Sequence, residues 1–391
     1  PIPSGVNEQK SKPTQQSINQ LQQRGIQPDI IIGRCSEYLT QNVKQKIALF
    51  SDLTPSSVFS GLYVDSVYKL PAILKKQGIL DSIEKTLGIT LPQNVDSWEG
   101  LLKNINNPTQ DLTIAICGKY TKLEDSYASI NEALLHCGAH TSSKIQLQFI
   151  ETTKIEQGNL TPFEALQNIS GIIIPGGFGS RGTEGKLEII KYARENNIPL
   201  LGICLGMQLI VVEFARNICL LHDANSTEIN PSTPYPVVDI LPEQKEINTK
   251  GGTMRLGAYT AHLEANSLAH TLYKSQTVSE RHRHRYEINP QYHSILKQHQ
   301  LSICGISEQR NLAEFIEIPN HPYFIATQGH PELKSSLLYP APLFLGLVKA
   351  ALQFNKIKIN SKLEQTNTEK PIPIIQSTTT QTIPSLPNGP F

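Results

Sequence analysis

The residues best suited to chemistry are a cysteine set between glycines, Gly202-Ile203-Cys204-Leu205-Gly206-Met207-Gln208, and a distant Gly329-His330-Pro331-Glu332. The first follows an apolar run over 198–203 that reads as a buried strand, and a helical pattern runs on from Leu205 to about Arg216. A turn that tight needs residues without a Cβ, and it presents the thiol at a helix N-terminus, where the macrodipole favours an anion. His330 can take and return a proton, and Glu332, two residues on across a proline, points the same way and can fix the tautomer of the imidazole. Together they make a Cys-His-acid set for nucleophilic acyl transfer. An isolated Cys-Gly turn more often holds a structural cysteine, and a lone loop histidine is usually solvated; it is the pairing that carries the reading. The oxyanion donors would be the amide of Leu205 and one from the loop Pro175-Gly176-Gly177-Phe178-Gly179, each worth about 3 kcal/mol of barrier.

Strands alternating with helices must position these groups. Thr113–Cys117, 145–150, Ile172–Ile174 and 198–203 read as strands, with helices at 126–137 (stopped by Gly138), near 184–196, and after Cys204. Thr161-Pro162-Phe163-Glu164 carries a capping box with proline at the first helical position. The pattern predicts a parallel sheet wrapped on both faces, whose ligands gather at the carboxyl ends of its strands. From 236 to 328 the chain turns strand-rich, as in an antiparallel addition. Upstream, 29–33, Lys46–Phe50 and Ser57–Tyr63 read as strands and Tyr68–Gly78 as a helix. The Asn-, Pro- and Asp-rich stretch 92–111 reads as a linker. Beyond Phe354 the composition turns to Gln, Thr, Pro and Ser, which predicts a disordered tail over 356–391.

The 391 residues are enough for about two domains. Lys and Arg (35) balance Asp and Glu (34), so no overall field favours nucleic acid or membrane, and any anionic ligand needs a local cluster. No apolar run is long enough to span a bilayer. The six cysteines are scattered without a CxxC, which fits reduced thiols and a cytoplasmic setting. Residue 1 is proline and the only methionines are Met207 and Met254, so the chain reads as part of a longer product.

The elbow and the His-Pro-Glu resemble the class I (triad) glutamine amidotransferases. Pro175–Gly179, Asn225-Ser-Thr-Glu228, Gly251-Gly-Thr-Met-Arg-Leu-Gly257, Arg281-His-Arg-His-Arg-Tyr-Glu287 and Lys10-Ser-Lys-Pro-Thr-Gln15 narrow the resemblance to the CTP synthase family, over about residues 8–354. The resemblance implies an α/β architecture. A doubly wound amidotransferase domain (107–355) would follow the C-terminal portion of a P-loop-type α/β synthetase domain (1–106). It implies ATP-dependent amination of UTP to CTP with ammonia from L-glutamine, ATP and Mg²⁺ as a substrate complex, GTP as activator, CTP as feedback inhibitor and a homotetramer. Carried over by position, Cys204, His330 and Glu332 are catalytic. Gly177, Leu205, Gly206, Met207, Gln208, Glu228 and Arg285 bind glutamine, Arg285 at the α-carboxylate and Glu228 at the α-ammonium. Lys10, Ser11, Lys12, Pro13, Thr14, Gln15 and Lys46 contact UTP or CTP, with Lys10, Lys12 and Gln15 as a triphosphate clamp on an extended segment. Leu62, Tyr63 and Val64 fall at the ATP contact, where the family usually has a charged residue. Without the resemblance, 281–285 would read as a solvated basic run and Lys10–Gln15 as a floppy basic terminus.

Two departures stand out. No Gly-x-x-x-x-Gly-Lys-Ser/Thr occurs in the chain, so the family's phosphate cradle and its Mg²⁺ carboxylates are not in this sequence. Gly329 and Leu333 stand where the family commonly has phenylalanine, which removes aromatic packing around His330. The competing readings are a free-standing glutaminase or γ-glutamyl hydrolase, and a non-catalytic assembly subunit. Retention of the Lys10–Gln15 cluster speaks against the first, and the intact triad against the second.

Overall fold

The computed structural model describes residues 9–91, 98–119, 124–240, 254–308 and 311–368. The N-terminal unit is small. Strands β1 (Ile31–Cys35) and β2 (Val58–Leu62) pair in parallel, and the helices Lys12–Gln23 and Gln41–Ser51 pack beside them around Ile18, Ile31, Val43, Ile47 and Val58. Lys46–Phe50 is therefore helix, not strand. Val43, Ile47, Ala48 and Ser51 are buried at helical spacing, and the Thr40 side chain accepts from the Val43 amide to cap the first turn. Lys10–Gln15 is not extended either. The helix begins at Lys12 with Pro13 in its first turn, where the ring's fixed φ suits it.

The larger unit is built on nine strands in the order β10-β9-β12-β13-β14-β6-β5-β3-β4. Its parallel half comprises β3 (Gln110–Gly118), β4 (Ser143–Glu151), β5 (Gly171–Ile174), β6 (Leu200–Ile203) and β14 (Phe324–Thr327). Strands buried on both faces need apolar side chains in unbroken runs, and Ile172, Ile173 and Ile174 supply one. Ile172 and Ile174 face the helices Thr183–Glu195 and Leu205–Asn217, while Ile173 faces Ala128–Thr141 and Pro342–Thr368. The doubly wound sheet expected from the alternation is present. Its other half is antiparallel: β9 (Arg255–Leu263), β10 (Thr277–His284), β12 (Ser302–Ser307) and β13 (Ala313–Glu317) extend the same sheet. A third, smaller sheet holds β7 (Ala224–Ser226), β8 (Tyr235–Ile240) and β11 (Tyr286–Ile288).

Several boundaries differ from the sequence reading, each for a local reason. The helix predicted to stop at Gly138 runs over Ala128–Thr141. Gly138 is there for clearance, since a Cβ would lie 2.6 Å from the Ser143 carbonyl oxygen. The stretch 92–111 is not a plain linker. It contains the helix Glu99–Asn106, packed against Ala128–Thr141, and the start of β3; 92–97 lie outside the described residues. Tyr68–Gly78 divides into a 3₁₀ turn, Val67–Lys69, and a short helix, Leu70–Lys75, with Pro71 at its start. The last helix carries the backbone past 356 to Thr368, with the Lys358 ammonium on the Gln167 carbonyl; 369–391 lie outside the described residues. The Thr161–Glu164 capping box is present, with Thr161 N–H donating to Glu164 at 2.9 Å and Glu164 N–H to Thr161 at 3.2 Å. No helix among the described residues is long and apolar enough to cross a membrane.

Candidate active site

Strands β5, β6 and β14 are neighbours and parallel, so the segments leaving their carboxyl ends meet at one place. Those segments are Pro175–Gly179, Cys204 and Gln328–Glu332. Cys204 turns directly from β6 into the Leu205–Asn217 helix with φ 53° and ψ −105°, a backbone state that only a tight elbow imposes on a non-glycine residue. The flanking glycines explain how the elbow fits. A Cβ on Gly206 would sit 2.1 Å from the Ile174 carbonyl oxygen, and one on Gly202 would sit 2.8 Å from the Ala326 Cβ. The Cys204 amide donates to the Thr327 carbonyl at 2.8 Å, which ties the elbow to β14.

His330 is held from both sides. Its backbone amide donates to the Arg281 carbonyl at 2.7 Å, and its Nδ1 lies 2.7 Å from Glu332 Oε1. Burial alone would draw the imidazole's proton affinity down. The Cys204 sulfur and Glu332, which favour the charged ring, outweigh burial and raise its pKa to about 10. Gly176 packs against both partners: a Cβ there would lie 3.0 Å from His330 Cε1 and 3.5 Å from Cys204 Cβ. The three candidate catalytic residues thus form one thiol–imidazole–carboxylate line, with loop backbone against it.

The candidate glutamine residues surround this line, though not all by side chain. Leu205, Gly206 and Met207 open the helix after Cys204, and the Met207 side chain is fully buried in the core, so only its backbone faces the elbow. Gln208 donates to the Tyr286 carbonyl (2.9 Å) and to Gln328 (3.2 Å), and Gln328 in turn donates to the Cys204 sulfur at 3.7 Å. Gln328 was not singled out from sequence; its place two residues before His330 was the available signal. Gly177 lies over Leu205, and Glu228 accepts the Gly179 amide at 3.0 Å, holding the glycine loop. Arg285 is half-buried, and its Nε is a buried donor without an acceptor among the described residues.

The run 281–285 is not a basic patch. It is strand β10 and the residue after it, with His282 and His284 inward and Arg281 and Arg283 outward. The two histidines bond each other at 2.9 Å; burial, the Arg255 charge and His330 push His282 down to about 3. They sit in a buried network in which Arg255 bridges Glu287 (3.1 Å) and Glu314 (2.7 Å). Gly329 leaves no void behind His330. Glu280 and His282 occupy the place, and a Cβ would meet them at 2.8 and 3.3 Å. Leu333 is 53% exposed and packs nothing there.

The remaining candidates lie on the N-terminal unit. Ser11 precedes the Lys12–Gln23 helix and accepts from the Gln15 side chain at 3.0 Å. Lys10, Lys12 and Pro13 are exposed, Thr14 is half-buried, and Lys46 is exposed on the neighbouring helix. Leu62 ends β2; Tyr63 follows, 64% exposed, with the Arg34 guanidinium 5.2 Å from its ring centre; Val64 comes next.

The family model described as glutamine amidotransferase class-I matches residues 122–350, and the one described as CTP synthase N-terminus matches 1–89. The CTP synthase of Methanocaldococcus jannaschii is 48% identical over 357 residues, 90% of this chain and 66% of that protein. The chain belongs to the CTP synthase family. The CTP synthase of Thermococcus kodakarensis is 47% identical over 88% of this chain and 65% of its own length. The chain thus spans about two thirds of the length of these curated relatives. Among solved structures, the glutaminase domain of Trypanosoma brucei CTPS with bound acivicin matches with a TM-score of 0.59 at 36% identity, over 62% of this chain and 94% of that one.

Proposed function

We propose that this chain carries the glutamine-hydrolysing half of a CTP synthase, with part of its nucleotide-binding half. One observation carries the reading: His330, bonded to Glu332 at 2.7 Å, and Cys204, on a strand-to-helix elbow, face the same glycine loop at Gly176. In this reading the Cys204 sulfur attacks the side-chain amide carbon of glutamine. The oxyanion is met by the Leu205 amide, which has no intrahelical partner, and by a glycine-loop amide. His330 gives its proton to the departing ammonia, and a γ-glutamyl thioester remains. Water, activated by the same imidazole, then releases glutamate. The acceptor-less Arg285 Nε supports a site for the substrate α-carboxylate, and Glu228, next to the loop, a site for the α-ammonium.

In a whole synthase, ammonia would then displace phosphate from UTP activated at O4 by MgATP. Lys10–Gln15, at the start of the Lys12–Gln23 helix, and Lys46, on the helix packed beside it, would contact UTP or CTP, and the exposed Tyr63 with Leu62 and Val64 would contact ATP. GTP activation, CTP inhibition and a tetramer belong to the same proposal. The free-standing hydrolase is the weaker reading, because a hydrolase has no use for the N-terminal unit. The test is to supply glutamine, UTP and MgATP and to score glutamate and CTP separately. Glutamate without CTP is expected, and absence of glutamate would overturn the reading. Cys204→Ala should lower glutamate release by at least about 10³-fold.

A further inference from the structure

Two buried carboxylate oxygens near His330 lack a partner among the described residues: Glu332 Oε2 and Glu280 Oε2. Glu332 uses its other oxygen for His330, and Glu280 uses its own for the Tyr273 hydroxyl at 2.8 Å. Both residues are closed from solvent, at 8% and 4% exposure. They stand on adjoining segments. The turn Pro331–Lys334 lies against β10, joined by the His330 amide on the Arg281 carbonyl and the Lys334 ammonium on the Ser279 carbonyl. An unpaired buried carboxylate oxygen is costly, and two on touching segments more so, unless one proton serves both.

We propose that Glu280 is a positioning residue: its carboxyl is protonated and donates to Oε2 of Glu332, fixing the carboxylate that orients His330. One proton satisfies both orphan oxygens and leaves a single negative charge facing the imidazole. The surroundings hold Glu280 in place. The Gly329 backbone packs against its Cβ, and the Tyr273 hydroxyl keeps its other oxygen. Among the described residues no cation bonds the orphan oxygen: Lys334 is bound to Ser279, and Lys274, Lys349 and His140 share with Glu280 the lining of a cavity of about 660 Å³ without reaching Oε2. Burial and the Glu332 charge both raise the proton affinity of Glu280, with the Tyr273 bond and the Lys334 charge opposing. The inference deepens the proposed glutaminase reading and rests on it for its kinetic arm.

The test uses the full chain and three variants. In wild type, an infrared band of a buried carboxylic acid is expected near neutral pH and should vanish in Glu280→Gln. Glu280→Leu should lower kcat for glutamate release about 10- to 100-fold with the glutamine KM within about twofold, since a displaced imidazole harms the chemical step more than binding. Glu280→Gln keeps an N–H donor for Glu332 and an acceptor for Tyr273, and should restore kcat to within about threefold of wild type. The same band in wild type and Glu280→Gln, or Gln as impaired as Leu, or Leu as active as wild type, would each overturn the proposal. Should Glu280→Leu not fold, Tyr273→Phe replaces it. That variant should keep the band and most of kcat, because the Glu332 bond is untouched; loss of the band would overturn the proposal. A wild type that releases no glutamate refutes the functional reading, while the infrared comparison still decides the state of Glu280.

Discussion

His330 keeps a proton that an ordinary imidazole gives up at 6.5, because the Cys204 sulfur and Glu332 favour the charged form over the effect of burial and raise its pKa to about 10. Two consequences follow at this scale. The folded protein binds that proton more tightly than the unfolded chain, so the resulting stability is complete below 6.5 and is lost as pH rises through about 10. The gap in unfolding midpoint between wild type and His330→Asn should therefore narrow from neutral to alkaline pH; a constant gap would deny the linkage. The second consequence is kinetic. Alkylation of Cys204 by iodoacetamide needs only a thiolate and should persist at high pH, whereas glutamate release should fall as His330 loses the proton meant for ammonia. If both fall together, His330 is not the acid. Cys204, His330 and Glu332 were legible from residue type and motif. Gln328 and Glu280 were not, because their importance lies in which buried oxygen or sulfur they face, and that depends on contacts between segments far apart in sequence.

The elbow works as an element only if the backbones around it approach closely. Gly206→Ala would force a Cβ to 2.1 Å from the Ile174 carbonyl oxygen of β5, a backbone atom with no rotamer to yield. A loss of about 3 kcal/mol is expected by urea unfolding, together with loss of glutamate release; a neutral result would show that the elbow can shift. The antiparallel extension relies on a different device. Arg255 links Glu287 and Glu314, all three buried, so Arg255→Met leaves two carboxylates uncompensated. A cost of about 3–5 kcal/mol is expected from the same measurement, and a change under 1 kcal/mol would mean the carboxylates take up protons cheaply. Elements with strong apolar periodicity, such as β5, β6 and the helix after Cys204, were readable in advance. Lys46–Phe50 misled because its short apolar run fits either period, and only packing on Ile18 and Ile31 selects the helix. Lys10–Gln15 misled because a run without apolar residues shows no period to mark a helix, and only Pro13 signals the helix start.

On the scale of the whole molecule, the question is how the N-terminal unit meets the unit that carries Cys204. The stretch 92–111 reads as the joint by composition, yet the helix within it packs on the larger unit, and Tyr68 meets both Trp98, with ring centres 5.8 Å apart, and the helix Ala128–Thr141. Tyr68 donates its hydroxyl proton to Glu132 at 2.7 Å and also meets His136 Nε2, while His136 Nδ1 lies 2.9 Å from the Ser335 hydroxyl. Burial holds His136 neutral, more than the nearby Glu132 favours its charge. A neutral ring has one donor and one acceptor, and the arrangement fixes which is which. With the phenolic proton on Glu132, His136 Nε2–H donates to the Tyr68 oxygen, and Nδ1 accepts from Ser335. Ser335 directly follows the Pro331–Lys334 turn that contains Glu332, so a continuous chain of hydrogen bonds runs from the N-terminal unit to the segment bearing the triad's acid. Its strength is measurable by a double-mutant cycle of Tyr68→Phe and His136→Ala on unfolding free energy. A coupling of about 1 kcal/mol is expected for partly buried, mutually polarised bonds. Tyr68→Phe alone should also shift kcat for glutamate release more than the glutamine KM, since it touches no residue placed on the substrate. Strict additivity in the cycle would mean that the two units adjoin without sharing energy, and that the triad is set by its own domain alone.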